Sequence, residues 1–212
     1  MHILKATYVI SSPAVEKCPP ARHPEFAFIG RSNVGKSSLI NMLCNHQGLA
    51  KTSASPGKTQ YINHFLVESF SSNQQKNKTL WYIVDLPGYG YAKTAQSNRR
   101  SWQKMISNYL QQRTNLVNTF VLIDSRHPPQ TIDMAFIDQL GNWQLPFSIV
   151  FTKADKEKPG VVKRNIENFK EKLLETWQFL PRQFITSATT KQGREEILIF
   201  IDSCNESFLL PK

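Results

Sequence analysis

Phe26-Ala27-Phe28-Ile29-Gly30-Arg31-Ser32-Asn33-Val34-Gly35-Lys36-Ser37-Ser38-Leu39-Ile40-Asn41-Met42-Leu43 joins an apolar run, a loop spaced G-x-x-x-x-G-K-S and a helical pattern. The run 26–29 predicts a buried parallel strand, and residues 36–45 predict the helix that follows. The loop acquires its chemical meaning from that strand–loop–helix setting. Glycines let backbone N–H groups turn inward around phosphate oxygens, and the helix N-terminus adds its dipole and unsatisfied donors. Lys36 supplies a point charge to β and γ phosphates, and the Ser37 hydroxyl an oxygen ligand for Mg²⁺. The four fixed positions coincide by chance about once in a hundred chains of this length. Placement after an apolar strand lowers that further, so the loop marks a nucleoside triphosphate site. Gly30, Arg31, Ser32, Asn33, Val34, Gly35, Lys36, Ser37 and Ser38 are the candidate contacts. They do not choose the base.

Outward from the loop, residues 120–123, 80–84 and 147–151 repeat the buried-strand character. Helical patterns at 97–112, 131–142, 161–177 and 191–204 alternate with them. That alternation predicts a three-layer α/β fold, a doubly wound sheet with helices on both faces. Residues 61–70 lead through a short polar loop, 71–79, to the strand at 80–84. A parallel return needs a dozen or more residues, so this pair is expected to be an antiparallel hairpin. The sheet is thus mostly parallel with one reversed strand. Residues 3–10 look strand-like, and Cys18-Pro19-Pro20-Ala21-Arg22-His23-Pro24 is an irregular connector that cannot continue a helix. Residues 1–24 are read as a strand and connector packed on a domain at 25–206, with a tail at 207–212.

Thr152-Lys153-Ala154-Asp155 follows the strand at 147–151. A carboxylate at Asp155 accepts hydrogen bonds from the N1–H and exocyclic amine of guanine, whereas adenine would leave it unpaired. Sites of this kind reject the wrong partner by orders of magnitude. The alkyl stem of Lys153 can lie over the base, and the turn Thr186-Ser187-Ala188 can offer a backbone N–H to the guanine carbonyl. Asp85-Leu86-Pro87-Gly88 ends the strand at 80–84; there Asp85 reaches Mg²⁺ through water and the Gly88 N–H senses the γ phosphate. Pro56-Gly57-Lys58-Thr59-Gln60, followed by Tyr61, lies between these motifs. A threonine that completes the Mg²⁺ shell only with GTP present is the physical basis of a switch. Thr59 is the choice, ahead of Thr52. The metal ligands are therefore Ser37, Thr59 and Asp85, and the groups acting on the reacting phosphate are Lys36, Thr59 and Gly88.

Composition bounds the partners. The chain has 212 residues, with Lys+Arg exceeding Asp+Glu by 26 to 16 for a formal net charge of +10. Such an excess favours polyanionic partners. Cys18, Cys44 and Cys204 have neither metal-ligand spacing nor an even count, which points to a reducing compartment. Residues 1–6 lack a charged head before a long apolar run, and no apolar window reaches membrane-spanning length, so a cytoplasmic protein is expected.

In this order the motifs resemble the translation-factor-related GTPases and closely resemble the EngB (YihA/YsxC) family of bacterial ribosome-assembly GTPases. The more specific segments are Asp85-Leu86-Pro87-Gly88-Tyr89-Gly90-Tyr91-Ala92 and Asp124-Ser125-Arg126-His127. Lys58 stands where arginine is the more frequent residue, leaving Thr59 in register. The resemblance covers nearly the whole chain. It implies a Ras-like P-loop GTPase fold, GTP and GDP as ligands with Mg²⁺, and a role in maturing the large ribosomal subunit. It also implies contacts with ribosomal RNA and proteins and a link to cell division and septation. No membrane or DNA partner is expected.

Tyr89 occupies the position where Ras-like enzymes place a water-orienting glutamine, so intrinsic hydrolysis should be slow. Two roles are open to Asn33: its amide oxygen can ligate K⁺ beside the β and γ phosphates, or it caps the loop. The scattered histidines suggest no catalytic pattern, and Trp81, Trp102, Trp143 and Trp177 read as core or half-buried. A P-loop kinase would need an acceptor lid and would leave Asp155 unexplained. A structural protein merely stabilised by GTP would release no phosphate.

Overall fold

Every side chain in Glu25–Gly30 is buried, as suits a strand bonded on both edges and covered on both faces. The computed structural model describes residues 1–51, 60–71, 78–89 and 96–209. Among these, seven strands form one sheet: β1 (His2–Ser12), β2 (Glu25–Gly30), β3 (Ile62–Phe70), β4 (Lys78–Asp85), β5 (Leu116–Asp124), β6 (Phe147–Thr152) and β7 (Gln183–Ile185). Their spatial order is β1-β3-β4-β2-β5-β6-β7. The helices are α1 (Lys36–Cys44), α2 (Gln96–Gln112), α3 (Thr131–Asn142), α4 (Pro159–Leu174) and α5 (Arg194–Leu209).

Strand β3 runs antiparallel to both β1 and β4, while β2 is parallel to β4 and β5, and β5, β6 and β7 follow in parallel. The reversed strand is therefore β3, in the hairpin that the short loop demanded. Alternation along β2 splits the core in two. Phe26 and Phe28 join Leu39, Ile40 and Leu43 of α1 and Ile197, Leu198 and Ile201 of α5 on one face. Ala27 and Ile29 join residues of α2, α3 and α4, including Tyr109, Ile137 and Phe169, on the other. Because β4 and β5 flank β2 on opposite sides, the crevice at its C-terminal end is the topological switch point where such sheets bind ligands.

Helix ends depart from the periodicity for local reasons. Helix α4 starts at Pro159, which fits the first turn because its missing N–H and fixed φ cost nothing there. Trp177, expected inside that helix, instead lies beyond it, its indole Nε1 donating to Asp138 at 2.8 Å. The turn closed by Ser187 N–H to Gln192 O delays α5 to Arg194. Trp81 is fully buried, and Trp102, Trp143 and Trp177 are half-buried.

Candidate nucleotide site

The phosphate loop is set by close packing at one end and backbone handedness at the other. A Cβ on Gly30 would lie 2.8 Å from the carbonyl oxygen of Leu122 on β5, so only glycine lets β2 pass there. Gly35 caps α1 at φ +104°, the left-handed region that favours glycine. Val34, 3% exposed, plugs the loop into the core. From outside, Thr152 Oγ1 at the end of β6 donates to Val34 O at 2.6 Å, and Lys153 Nζ donates to Asn33 O. Ser37 is half-buried and Ser38 exposed in the first turn of α1.

On the side of β4, Lys36 Nζ pairs with Asp85 Oδ1. Leu86 N–H donates to Phe28 O at 3.0 Å, carrying β4 past its last ladder bond, and Leu86, Pro87 and Gly88 are buried. The Asp85 carboxylate, paired with Lys36, and the hydroxyl of Ser37, the next residue in the chain after Lys36, are hard oxygen donors. That donor set fits Mg²⁺, which is ordinarily held by one or two protein oxygens together with phosphate oxygens.

Across the loop, Ala154 N–H donates to Thr186 O at 3.1 Å, and Thr186 N–H to Phe151 O at 2.7 Å. These bonds lock the two turns after β6 and β7 together. A cleft of about 150 Å³ results, lined by Gly35 and Ser38 together with Lys153, Asp155, Thr186 and Ala188. The Ser187 hydroxyl holds the Asp155 carboxyl below its ordinary value, with Lys156 Nζ 3.1 Å away adding to the effect. Asp155 is thus an ionised, acceptor-only group near neutral pH. Lys153 Nζ also lies 2.9 Å from Asp124 Oδ2, and Arg126 grips both oxygens of Asp124 at 2.9 and 2.8 Å. Burial pushes the Asp124 carboxyl up, but Arg126 and Lys153 outweigh it and hold the group at about 2.

Gln60 and Tyr61 sit exposed at the entry to β3 and do not line that cleft. Gly57, Lys58, Thr59 and the alternative Thr52 lie outside the described residues, as do Gly90, Tyr91 and Ala92. Sequence reasoning missed Asp133. This carboxylate is 0% exposed on α3; Arg31 Nε reaches both its oxygens at 3.0 Å, and Tyr89 OH donates to it at 2.9 Å. Burial raises its carboxyl, against the opposing pull of Arg31 and Tyr89. An acid in register with Phe136, Ile137 and Leu140 on the apolar face of a helix was the available signal. Glu25 was missed too: it is buried between Arg113, Tyr109 and His64 at the opposite end of β2.

The family model described as "50S ribosome-binding GTPase" matches residues 25–153. The chain is 53% identical over 207 residues to the probable GTP-binding protein EngB of Christiangramia forsetii, covering 98% of this chain and 100% of that one. Its counterpart of the same name in Porphyromonas gingivalis is 55% identical over 206 residues, covering 97% and 98%. Among solved structures, a probable GTP-binding protein engB superposes with a TM-score of 0.62 at 22% identity, covering 86% of this chain and 99% of that one. Era bound to MgGDPNP and a segment of 16S ribosomal RNA gives 0.68 at 21% identity, covering 89% and 57%. The structural likenesses agree on the fold: a P-loop GTPase. The match in sequence, at more than half identity end to end, is narrower. The chain belongs to the EngB family of GTP-binding proteins.

Proposed function

We propose that this chain is a Mg²⁺-dependent switch that hydrolyses GTP to GDP and acts in assembly of the large ribosomal subunit. The observation that carries the nucleotide reading is the cleft in which Gly35 and Ser38 meet Lys153, Asp155, Thr186 and Ala188, with Lys36 and Asp85 alongside. Residues 30–38 cradle the phosphates, and Lys36 neutralises the β and γ oxygens. Ser37, Asp85 and Thr59 would hold Mg²⁺, which would supply positive charge to the phosphate oxygens. The N–H of Gly88 reads the γ phosphate, and the segment containing Gly57, Lys58, Thr59, Gln60 and Tyr61 responds to it. Asp155 accepts from guanine N1–H and the amine, the Lys153 stem covers the base, and the turn 186–188 meets the carbonyl. The unit read from sequence as residues 25–206 extends through α5 to Leu209, in place of a tail starting at 207, and residues 1–24 join it through β1, which pairs with β3 at the sheet edge.

Hydrolysis by the isolated protein is slow. Tyr89 is buried with its hydroxyl engaged by Asp133, which leaves it unable to orient an attacking water. Stimulation then comes from the ribosomal particle and from K⁺ ligated near Asn33, whose backbone is held at φ +61° in the loop. The net charge of +10 and the exposed Arg100 and Lys104 on α2 suit contact with ribosomal RNA; Arg99, the other basic residue of that cluster, has its side chain outside the described residues. The description of the matched family, 50S ribosome-binding GTPase, supports the large-subunit partner; the link to division and septation is carried only by the resemblance of the motifs to the EngB family. No helix among the described residues is long and apolar enough to cross a membrane, and the proposed place of action is the cytoplasm.

Phosphate release over time, with and without ribosomal subunits, combined with co-sedimentation in GTP-analogue and GDP states, tests the reading. Nucleotide-gated binding to the large subunit and faster release in its presence are expected. Equal sedimentation with GTP analogue, GDP and no nucleotide would overturn the switch.

A further inference from the structure

Arg31 and Tyr89 leave neighbouring strands, β2 and β4, and still pair with each other in parallel beyond the strand ends. Their side chains then converge on one point. The Asp133 carboxylate, 0% exposed on α3, receives Arg31 Nε at 3.0 Å on both oxygens and the Tyr89 hydroxyl at 2.9 Å on one. The Tyr89 ring stacks on Phe136, one turn further along α3, with centroids 4.4 Å apart. Arg31 belongs to the phosphate loop, and Tyr89 directly follows Gly88. A buried carboxylate left without partners is costly, so three elements are constrained to move as one.

We propose that Asp133 is a positioning residue for nucleotide-state recognition, clamping the phosphate loop through Arg31 and the Gly88 backbone through Tyr89 to helix α3. The proposal rests on the reading of Gly88 as the γ-phosphate contact. In the GDP state Gly88 touches no phosphate, so ordering it contributes nothing to affinity. In the GTP state its N–H must be held in place, and the clamp supplies that order before the ligand arrives. The same connection makes α3 the helix that senses which nucleotide is bound.

The test uses the full chain with fluorescent GDP and a non-hydrolysable fluorescent GTP analogue, reading dissociation rates by stopped flow. Tyr89→Phe deletes one hydroxyl and keeps the ring on Phe136. It should release the GTP analogue about fivefold faster, the cost of one hydrogen bond, with GDP release changed by less than about twofold. Asp133→Asn also loosens Arg31 and the phosphate loop, so it should speed release of both nucleotides, and of the GTP analogue by the clearly larger factor. Equal acceleration for both nucleotides would reduce Asp133 to a structural role, and no change for either would remove the clamp altogether. A second arm follows amide hydrogen exchange in residues 86–89 and in α3 without nucleotide. Tyr89→Phe should speed exchange in both segments together, and unchanged exchange refutes the clamp. Failure of the unmodified protein to bind guanine nucleotide would overturn the reading of the site, while the exchange arm still decides the clamp.

Discussion

Replacing Arg113 with methionine removes the guanidinium that grips a fully buried carboxylate. Glu25 is 0% exposed at the start of β2; Arg113 Nη2 lies 2.5 Å from Oε1 and Nε 2.9 Å from Oε2, while Tyr109 OH donates at 2.7 Å. His64 Nε2 stands 3.4 Å from Oε1. Burial pushes the Glu25 carboxyl up, yet Arg113, His64 and Tyr109 bring it from 4.5 down to about 2. At about 1.4 kcal/mol per pH unit, the folded site favours the charged form over the neutral one by about 3 kcal/mol more than water does. Removing one member of a buried pair typically costs about 3–5 kcal/mol. Arg113→Met should therefore lower stability by about 3 kcal/mol at pH 7. The pH dependence has a definite sign. A folded value depressed below the unfolded one stabilises above pH 4.5, and that stability drains away as pH falls towards about 2. The variant lacks most of this increment, so the gap between the two proteins should shrink steadily over that window. Urea unfolding followed by tryptophan fluorescence between pH 7 and pH 3 measures it, and other carboxylates cancel in the difference. A loss under about 1 kcal/mol at pH 7, or one that stays constant down to pH 3, would show that Arg113 does not hold Glu25 ionised.

Three further outcomes bear on function. Asp155→Asn should shift preference from guanosine to xanthosine nucleotide, because asparagine reverses the hydrogen-bonding polarity that matches guanine; equal affinity of the unmodified protein for GTP and ATP in titration would defeat the assignment. Phosphate release should be faster in KCl than in NaCl at matched ionic strength, with Asn33→Ala abolishing the difference; identical rates in all four conditions would leave no role for a monovalent ion. Binding to the large subunit should weaken steeply with salt, and Arg100→Ala with Lys104→Ala should flatten the slope by about one unit per lost phosphate contact while GTP affinity holds. An unchanged slope would place the RNA-binding surface elsewhere.

The strand–loop–helix around Gly30–Ser38 was legible because its determinants are local. A run of apolar residues, two glycines at fixed spacing and a helix start act on the backbone within a few residues. The hairpin was equally legible, since the length of the 71–79 linker excludes a crossover. Helix ends were less so. Trp177 lies outside α4, bonded to Asp138 on α3, and the tight turn before Arg194 shortens the start of α5. Neither contact is written in the periodicity of its own segment. The partners of buried charge were illegible for the same reason carried further. Arg31 meets Asp133 across 102 residues and Glu25 meets Arg113 across 88. Any arginine suits any carboxylate by type, so sequence cannot pair them. By itself the sequence determined the alternating fold, the reversed strand and the chemistry offered to a nucleotide, because backbone periodicity and short motifs encode those. Only the tertiary structure decided that Asp133 joins the phosphate loop to Tyr89 and that Glu25 lies locked behind α2, because desolvation makes a buried charge depend on whatever the packed chain brings within about 3 Å.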